Sequence, residues 1–132
     1  MAKTIIQSIT FKKVSPKQLY ETYMDAKKHA AATGSEVSVQ NEVGGSFSAF
    51  GCLKGRFLFL VQDKLIVQTW RSINFQKSDE DSILILSLKK VKAGTKLDMV
   101  HAFVPKSDYA GVKKGWPKYY WNPWAKYFLK AG

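Results

Sequence analysis

Apolar residues recur along this chain at two spacings, every second residue and every third to fourth. From Lys3 to Lys13 they alternate. Ile5, Gln7, Ile9 and Phe11 share one face, and Ile6, Ser8, Thr10 and Lys12 share the other, which predicts a first strand. Ser15-Pro16 then reads as a helix N-cap followed by a proline at the first helical position. Leu19, Tyr20 and Tyr23 line a short helix that ends near Met24. Asp25 caps a second short helix, AKKHAAAT, which stops at Gly34 and carries His29 as a packed or exposed helix histidine.

Ser35 to Phe50 reads as two short strands around a Gly44-Gly45 turn or bulge. No helix start follows that glycine pair, so it makes no phosphate cradle. Four further strands follow: Gly51 to Val61, bent at Gly55; Leu65 to Phe75; Ser82 to Val91; and Thr95 to Val104, closed by Pro105. Gln62-Asp63-Lys64, Gln76 to Asp81 and Lys92-Ala93-Gly94 are polar connections. In the last strand Leu97, Met99, His101 and Phe103 fall on the interior face.

From Ser107 to Lys130 the spacing changes to the helical one. At ~100° per residue, Tyr109, Trp116, Tyr120 and Tyr127 form one line, flanked by Val112 and Trp124. Gly115 before Pro117 predicts a break, and Asn122-Pro123 predicts a fresh cap, so a bent or interrupted helix is expected there. So wide an aromatic stripe must lie on a surface of its own size. Strands joined by short turns make an antiparallel meander, and helices on one face of it make an α+β, two-layer domain. A curved sheet of six or seven strands, wrapped round the last helix, would bury that stripe.

Composition adds bounds. The 132 residues make one expected domain, residues 1–132, large enough for a sizeable core. No apolar run is long enough to span a bilayer, and the N-terminus reads as a strand, not a signal peptide. One cysteine, Cys52, leaves no internal disulfide, which fits a reducing, cytoplasmic setting. Cys52, His29 and His101 lack any paired ligand spacing, so neither metal nor cofactor is expected. The formal net charge of +11 favours acidic partners. Arg56 and Arg71 are the only arginines, and the lysines are scattered, which argues against nucleic-acid recognition.

The strings GGSFSAF, LIVQTWRS, TKLDMVHAFVP and DYAGVKKGWPKYYWNPWAKY, in that order, resemble the C-terminal domain family of the activator of the heat-shock protein 90 ATPase. The densest matches are Ile66 to Arg71, Gly115-Trp116 and Tyr119-Tyr120-Trp121, and the likeness runs from about Lys3 to Lys130. That family belongs to the helix-grip superfamily, with the steroidogenic-regulatory-type lipid-transfer domains and the birch-pollen allergen. The resemblance implies a long C-terminal helix gripped by an antiparallel sheet, two short helices after the first strand, and a cavity between helix and sheet. It implies a co-chaperone-like or stress-related role on an acidic surface of a chaperone of the heat-shock protein 90 class. It also implies a stand-alone form, without the activator's N-terminal domain.

Three chemistries compete on the residues. For a small apolar ligand, Phe47, Phe57, Phe59, Trp70, Met99, Phe103, Trp116, Tyr120 and Trp124 are the candidate cavity lining, with Gln68, Arg71 and His101 as its polar groups. The same aromatics would equally fill the space as solid core. For an acidic protein partner, Lys113, Lys114, Lys118, Lys126 and Lys130 lie off the aromatic line, as does any solvated helix face. For catalysis, His101 is the best base, but no Ser, Cys or carboxylate stands at a recognisable spacing from it, so no catalytic residue is assigned.

Overall fold

Strand β1 (Ala2–Lys12) keeps the predicted alternation, with Ile5 and Phe11 buried. A computed structural model describes residues 2–131 of the chain. After β1 the Ser15 hydroxyl accepts from the Gln18 N–H (3.1 Å) while the Gln18 side chain accepts from the Ser15 N–H (2.8 Å). This reciprocal cap, with Pro16 behind it, starts α1 (Pro16–Met24). Asp25 ends α1 and caps α2 (Ala26–Thr33) through the Lys28 N–H, and Gly34 closes α2 in the left-handed conformation at φ 79°.

The remaining strands are β2 (Val37–Val39), β3 (Ser46–Ala49), β4 (Leu53–Val61), β5 (Leu65–Ser72), β6 (Ser82–Val91) and β7 (Gly94–Pro105). All pairs are antiparallel, in the order β1-β7-β6-β5-β4-β3-β2. Gly55 is required where β4 bends against β5, because a Cβ there would sit 1.9 Å from the Thr69 carbonyl oxygen. The β3–β4 turn places Phe50 (φ 58°) and Gly51 (φ 69°) in the left-handed region. Two successive positive φ values suit a tight hairpin, but they strain a residue as bulky as phenylalanine.

Two bulges correct the expected strand faces. In β4 the pairing steps from Phe57↔Gln68 to Phe59↔Val67, so Leu58 is an extra residue. In β7 the pairing steps from Ile5↔His101 to Lys3↔Val104, and Phe103 takes φ 60°. Each inserted residue reverses the period-two phase beyond it. Phe59 and Phe103, expected inside, therefore face solvent at 55% and 57% exposure.

The C-terminal helix lies across the concave face. Its parts are α3 (Tyr109–Trp116), a π-helical turn (Pro117–Trp121) and α4 (Asn122–Ala131). The expected restart at Asn122 does not occur, since Asn122 has helical backbone angles (φ −70°, ψ −47°). Pro117 has no N–H to offer the carbonyl one turn back, at Lys113. The Gln7 side chain supplies that donor, Nε2 to Lys113 O at 3.0 Å, and its Oε1 accepts from Trp121 Nε1 at 2.8 Å. One glutamine of β1 thus rivets the helix on both sides of its irregular turn. The turn turns both Tyr120 and Trp121 inward, so Trp116, Tyr120, Trp121 and Trp124 are all buried.

Candidate functional site

The interior divides into a closed sector and an open one. In the closed sector α1, α2, β3 and α4 bring Tyr23, His29, Phe47 and Trp124 together. Tyr23 stacks on Phe47, with centroids 5.6 Å apart and planes at 11°. His29 Nδ1 lies 2.8 Å from the Tyr23 carbonyl, which can only accept, so Nδ1 carries the proton. His29 Nε2 then accepts from the Tyr120 hydroxyl at 2.9 Å. Burial lowers the His29 pKa to about 4, and the backbone hydrogen bond opposes that shift only in part. Burial also pushes the Tyr23 and Tyr120 phenols upward, which keeps both hydroxyls as donors. Tyr23 donates to Gln68 Oε1.

His101, the residue nominated as a base, is fully enclosed behind Trp70 and Trp116. Trp116 Nε1–H donates to His101 Nδ1 at 3.1 Å. An indole N–H can only donate, so the His101 proton resides on Nε2. Nε2–H donates to the Ser82 hydroxyl (2.8 Å), which in turn donates to the Trp70 carbonyl (2.5 Å). The contact superficially resembles a serine–histidine dyad, but the proton runs the wrong way for one. His101 offers Ser82 a donor, not a base, and burial lowers its pKa to about 3. Both side chains are without exposed surface. This pair holds the wall in place and activates no nucleophile.

In front of that wall lies a cavity of about 460 Å³. Trp70 and Ser72 of β5 form its sheet side; Asp108, Gly111, Val112, Gly115, Trp116, Tyr119 and Tyr120 form its helix side. The strained Phe50 turn, with Cys52 and Leu53, closes one flank, and Asn74 and Ser107 complete the rim. The Phe50 ring packs on Tyr119 and Tyr120 at 5.7 and 5.8 Å, which holds the turn against the helix. Space persists because two positions of α3 have no side chain. A Cβ on Gly111 would meet nothing within 4 Å, and one on Gly115 would touch only the Tyr119 ring, at 3.6 Å.

Of the residues proposed for the lining, Trp70, Trp116 and Tyr120 meet at this cavity. Phe47, Phe57, Gln68, Met99, His101 and Trp124 lie instead in the closed core. Phe59 and Phe103 are on the outside, for the bulge reason given above. Arg71 is also displaced from its expected role. Its guanidinium clamps the β5–β6 loop, donating to the carbonyls of Gln76 (2.7 Å) and Asp79 (2.8 Å) and to the Asp81 carboxylate (3.1 Å). Sequence reasoning missed Asp108, Gly111, Gly115 and the Phe50–Leu53 flank. The available signal was Gly111 and Gly115, glycines four apart and so on one face of α3, with Ser107 just before the helix.

Along the same helix, Lys113, Lys114, Lys118, Lys126 and Lys130 are all exposed. No Asp or Glu occurs between Tyr109 and Ala131, and these lysines take part in none of the ion pairs among the described residues.

A family profile described as "Activator of Hsp90 ATPase homolog 1-like protein" matches residues 13–128. The chain belongs to that family. It is 30% identical over 105 residues to the activator of 90 kDa heat shock protein ATPase homolog of Dictyostelium discoideum, covering 79% of this chain and 27% of that protein. The chain spans no more than 32% of the length of the other curated relatives it matches. A crystal structure of an HSP90 activator from Plasmodium falciparum superimposes with a TM-score of 0.77 at 26% identity, covering 92% of this chain and 91% of that one. A protein of Mesorhizobium loti shares the fold with a TM-score of 0.83 at 21% identity, covering 98% and 99%. The architecture is thus a helix-grip fold, with a curved seven-stranded antiparallel sheet around a long C-terminal helix. No helix among the described residues is long and apolar enough to cross a membrane.

Proposed function

We propose that this chain is a non-enzymatic, cytoplasmic binding domain that works as a co-chaperone-like partner of a chaperone of the heat-shock protein 90 class. The observation that carries the reading is the last helix of a family member whose matched relatives include proteins named as activators of that ATPase. Its outer face presents five exposed lysines and no carboxylate. Such a face suits an acidic surface and speeds encounter more than it deepens affinity. The test is titration into the cognate chaperone, following ATP turnover and binding, beside a variant with Lys113, Lys114 and Lys118 changed to Glu. The wild type is expected to bind and to change turnover, with the association rate falling as salt rises. Absence of both at about 50 µM, where even weak pairs are detected, overturns the reading.

A second reading is favoured by the cavity itself, whose volume of about 460 Å³ falls inside the usual range for small-molecule sites. On this reading the domain carries or senses a small hydrophobic ligand. Native mass spectrometry of protein purified without detergent is expected to show a ligand-loaded species. A single mass matching the bare chain, unmoved by added apolar compounds, removes this reading.

A further inference from the structure

The face of the sheet turned away from the last helix is uncovered among the described residues. The outward positions of β1, β4, β5, β6 and β7 are exposed or half-buried throughout. Yet this face is apolar across all five strands. The β4 bulge brings Phe59 outward, opposite Val67. The register continues as Val67↔Ile85, Ile85↔Val100 and Val100↔Ile6, which makes one row of five apolar side chains. Its end residues, Phe59 and Ile6, are 55% and 74% exposed. At about 4.8 Å per strand the row is about 19 Å long. Two pairs of like charges frame it on the same face: Lys54 stands directly opposite Arg71, and Lys89 directly opposite Lys96. Arg71 lies four residues past Val67 and Lys89 four past Ile85, on antiparallel strands, so the pairs fall on opposite sides of the row. Like charges directly opposite on a sheet destabilise it. Arg71 and Lys96 have Asp81 and Asp98 at 3.1 and 3.6 Å, whereas Lys54 and Lys89 have no ion pair among the described residues.

We propose that this outer face docks a short acidic segment of a partner protein. The segment's apolar centre covers the row, and carboxylates at its two ends meet Lys54 with Arg71 and Lys89 with Lys96. The surface is separate from the last helix and the cavity, which lie on the other side of the sheet. Every other occupant leaves part of it unanswered. A second copy of the chain brings a further +11 and the same opposed cations. The row is also one side chain wide, far less than the ~800 Å² per partner of a stable dimer. A nucleic-acid backbone would neutralise the cations and leave the row in water. An anionic bilayer is flat and meets a convex face at its crest alone. A protein segment spanning about 27 Å, four strand residues to either side of the row, reaches both cation pairs across the apolar centre. Its carboxylates would also relieve the two like-charge oppositions, and that relief is specific to an anionic guest.

The probe is a fluorescein-labelled peptide of about 12 residues, with a leucine–phenylalanine centre and glutamates at each end, long enough when extended to span that distance. Two control peptides replace the glutamates by lysines or the centre by serines. Fluorescence anisotropy with the full chain is expected to rank the acidic apolar peptide at least about tenfold tighter than either control. In the wild-type protein, amide resonances of Val67, Ile85 and Val100 should shift with it, while those of Lys118, Lys126 and Lys130 stay still. Phe59→Ser and Ile6→Ser change exposed positions and should each weaken binding by about fivefold or more. Lys54→Glu together with Lys89→Glu should weaken binding by at least about tenfold and raise the urea midpoint of unfolding, because each turns an opposed like pair into an unlike one. Equal binding of the three peptides, binding of none, or shifts confined to the last helix overturns the docking surface. Phosphatidylserine vesicles that bind through these same residues while no peptide does would assign the face to a membrane and overturn the protein partner.

Discussion

The two ends of the last helix are built from the same residue types and do opposite things. Around α4 and the π turn, Tyr120, Trp124 and His29 pack edge to face, and His29 finds partners for both ring nitrogens. Around α3, Trp116 and Trp70 line a void. Aromatic content therefore does not decide between core and cavity. The difference is made by what flanks each ring: Tyr120 has Trp124 one turn on, whereas Trp116 follows Gly115 directly. Since glycine costs about 1 kcal/mol against alanine in a helix, two of them in α3 are a standing expense that packing does not return.

The largest blow to this contrast comes from the closed side. Trp124→Ala should cost about 3–5 kcal/mol in chemical denaturation, as for other fully enclosed tryptophans. A loss below about 1 kcal/mol would mean the sector is not closed.

Acid is the next probe. His29 and His101 have folded pKa values of about 4 and about 3, below the ordinary value of 6.5. A group whose folded pKa is lowered stabilises the fold at pH above 6.5, and that contribution drains away as pH falls toward the folded value. Between pH 7 and pH 5 each should remove about 2 kcal/mol, read as a falling midpoint in urea. Protonating His29 takes away the acceptor used by Tyr120, and protonating His101 takes away the one used by Trp116; His29 has the higher folded value, so the closed sector should loosen before the cavity wall does. His101→Gln should flatten part of this slope, and a slope unchanged from wild type would contradict the assignment.

Gln7→Leu comes third. It leaves the Lys113 carbonyl and the Trp121 indole without their partner, at a cost of about 1–3 kcal/mol, and hydrogen exchange should quicken at both ends of the π turn. Unchanged exchange there would remove Gln7 as the rivet.

Gly111→Leu is expected to have the smallest effect on stability and a decisive one on the cavity. The new Cβ meets nothing within 4 Å, so unfolding should shift by no more than about 1 kcal/mol, while binding of an apolar probe such as ethylnaphthalene should drop by at least about tenfold. Marked destabilisation would show that the space is not free.

Much of this layout was legible in the chain. Ser15-Pro16, Asp25 and Gly34 announce their helices through local chemistry, and period-two alternation places β1, β5 and β6 correctly. Periodicity failed at Phe59 and Phe103 because one inserted residue reverses the phase without changing composition. Pro117 looked like a break because the donor that replaces its missing N–H lies on β1, far away in sequence. Asp108 stayed hidden for a similar reason. A carboxylate before a helix reads as a cap, and only the folded geometry shows that it caps nothing.

The π turn has a consequence for how such a domain tolerates insertions and deletions. A helix that holds one residue too many between two rigid ends can lose it without losing either end. Excising one residue within Pro117–Trp121 would restore plain α-helix and leave both ends in phase, because five residues in the wide π turn sweep about the same angle as four in an α-helix. With α4 anchored in the closed sector, Gly111 and Gly115 would stay where they are, and only the side-by-side burial of Tyr120 and Trp121 would be lost. A single codon can thus enter or leave this helix without disturbing the room beside it.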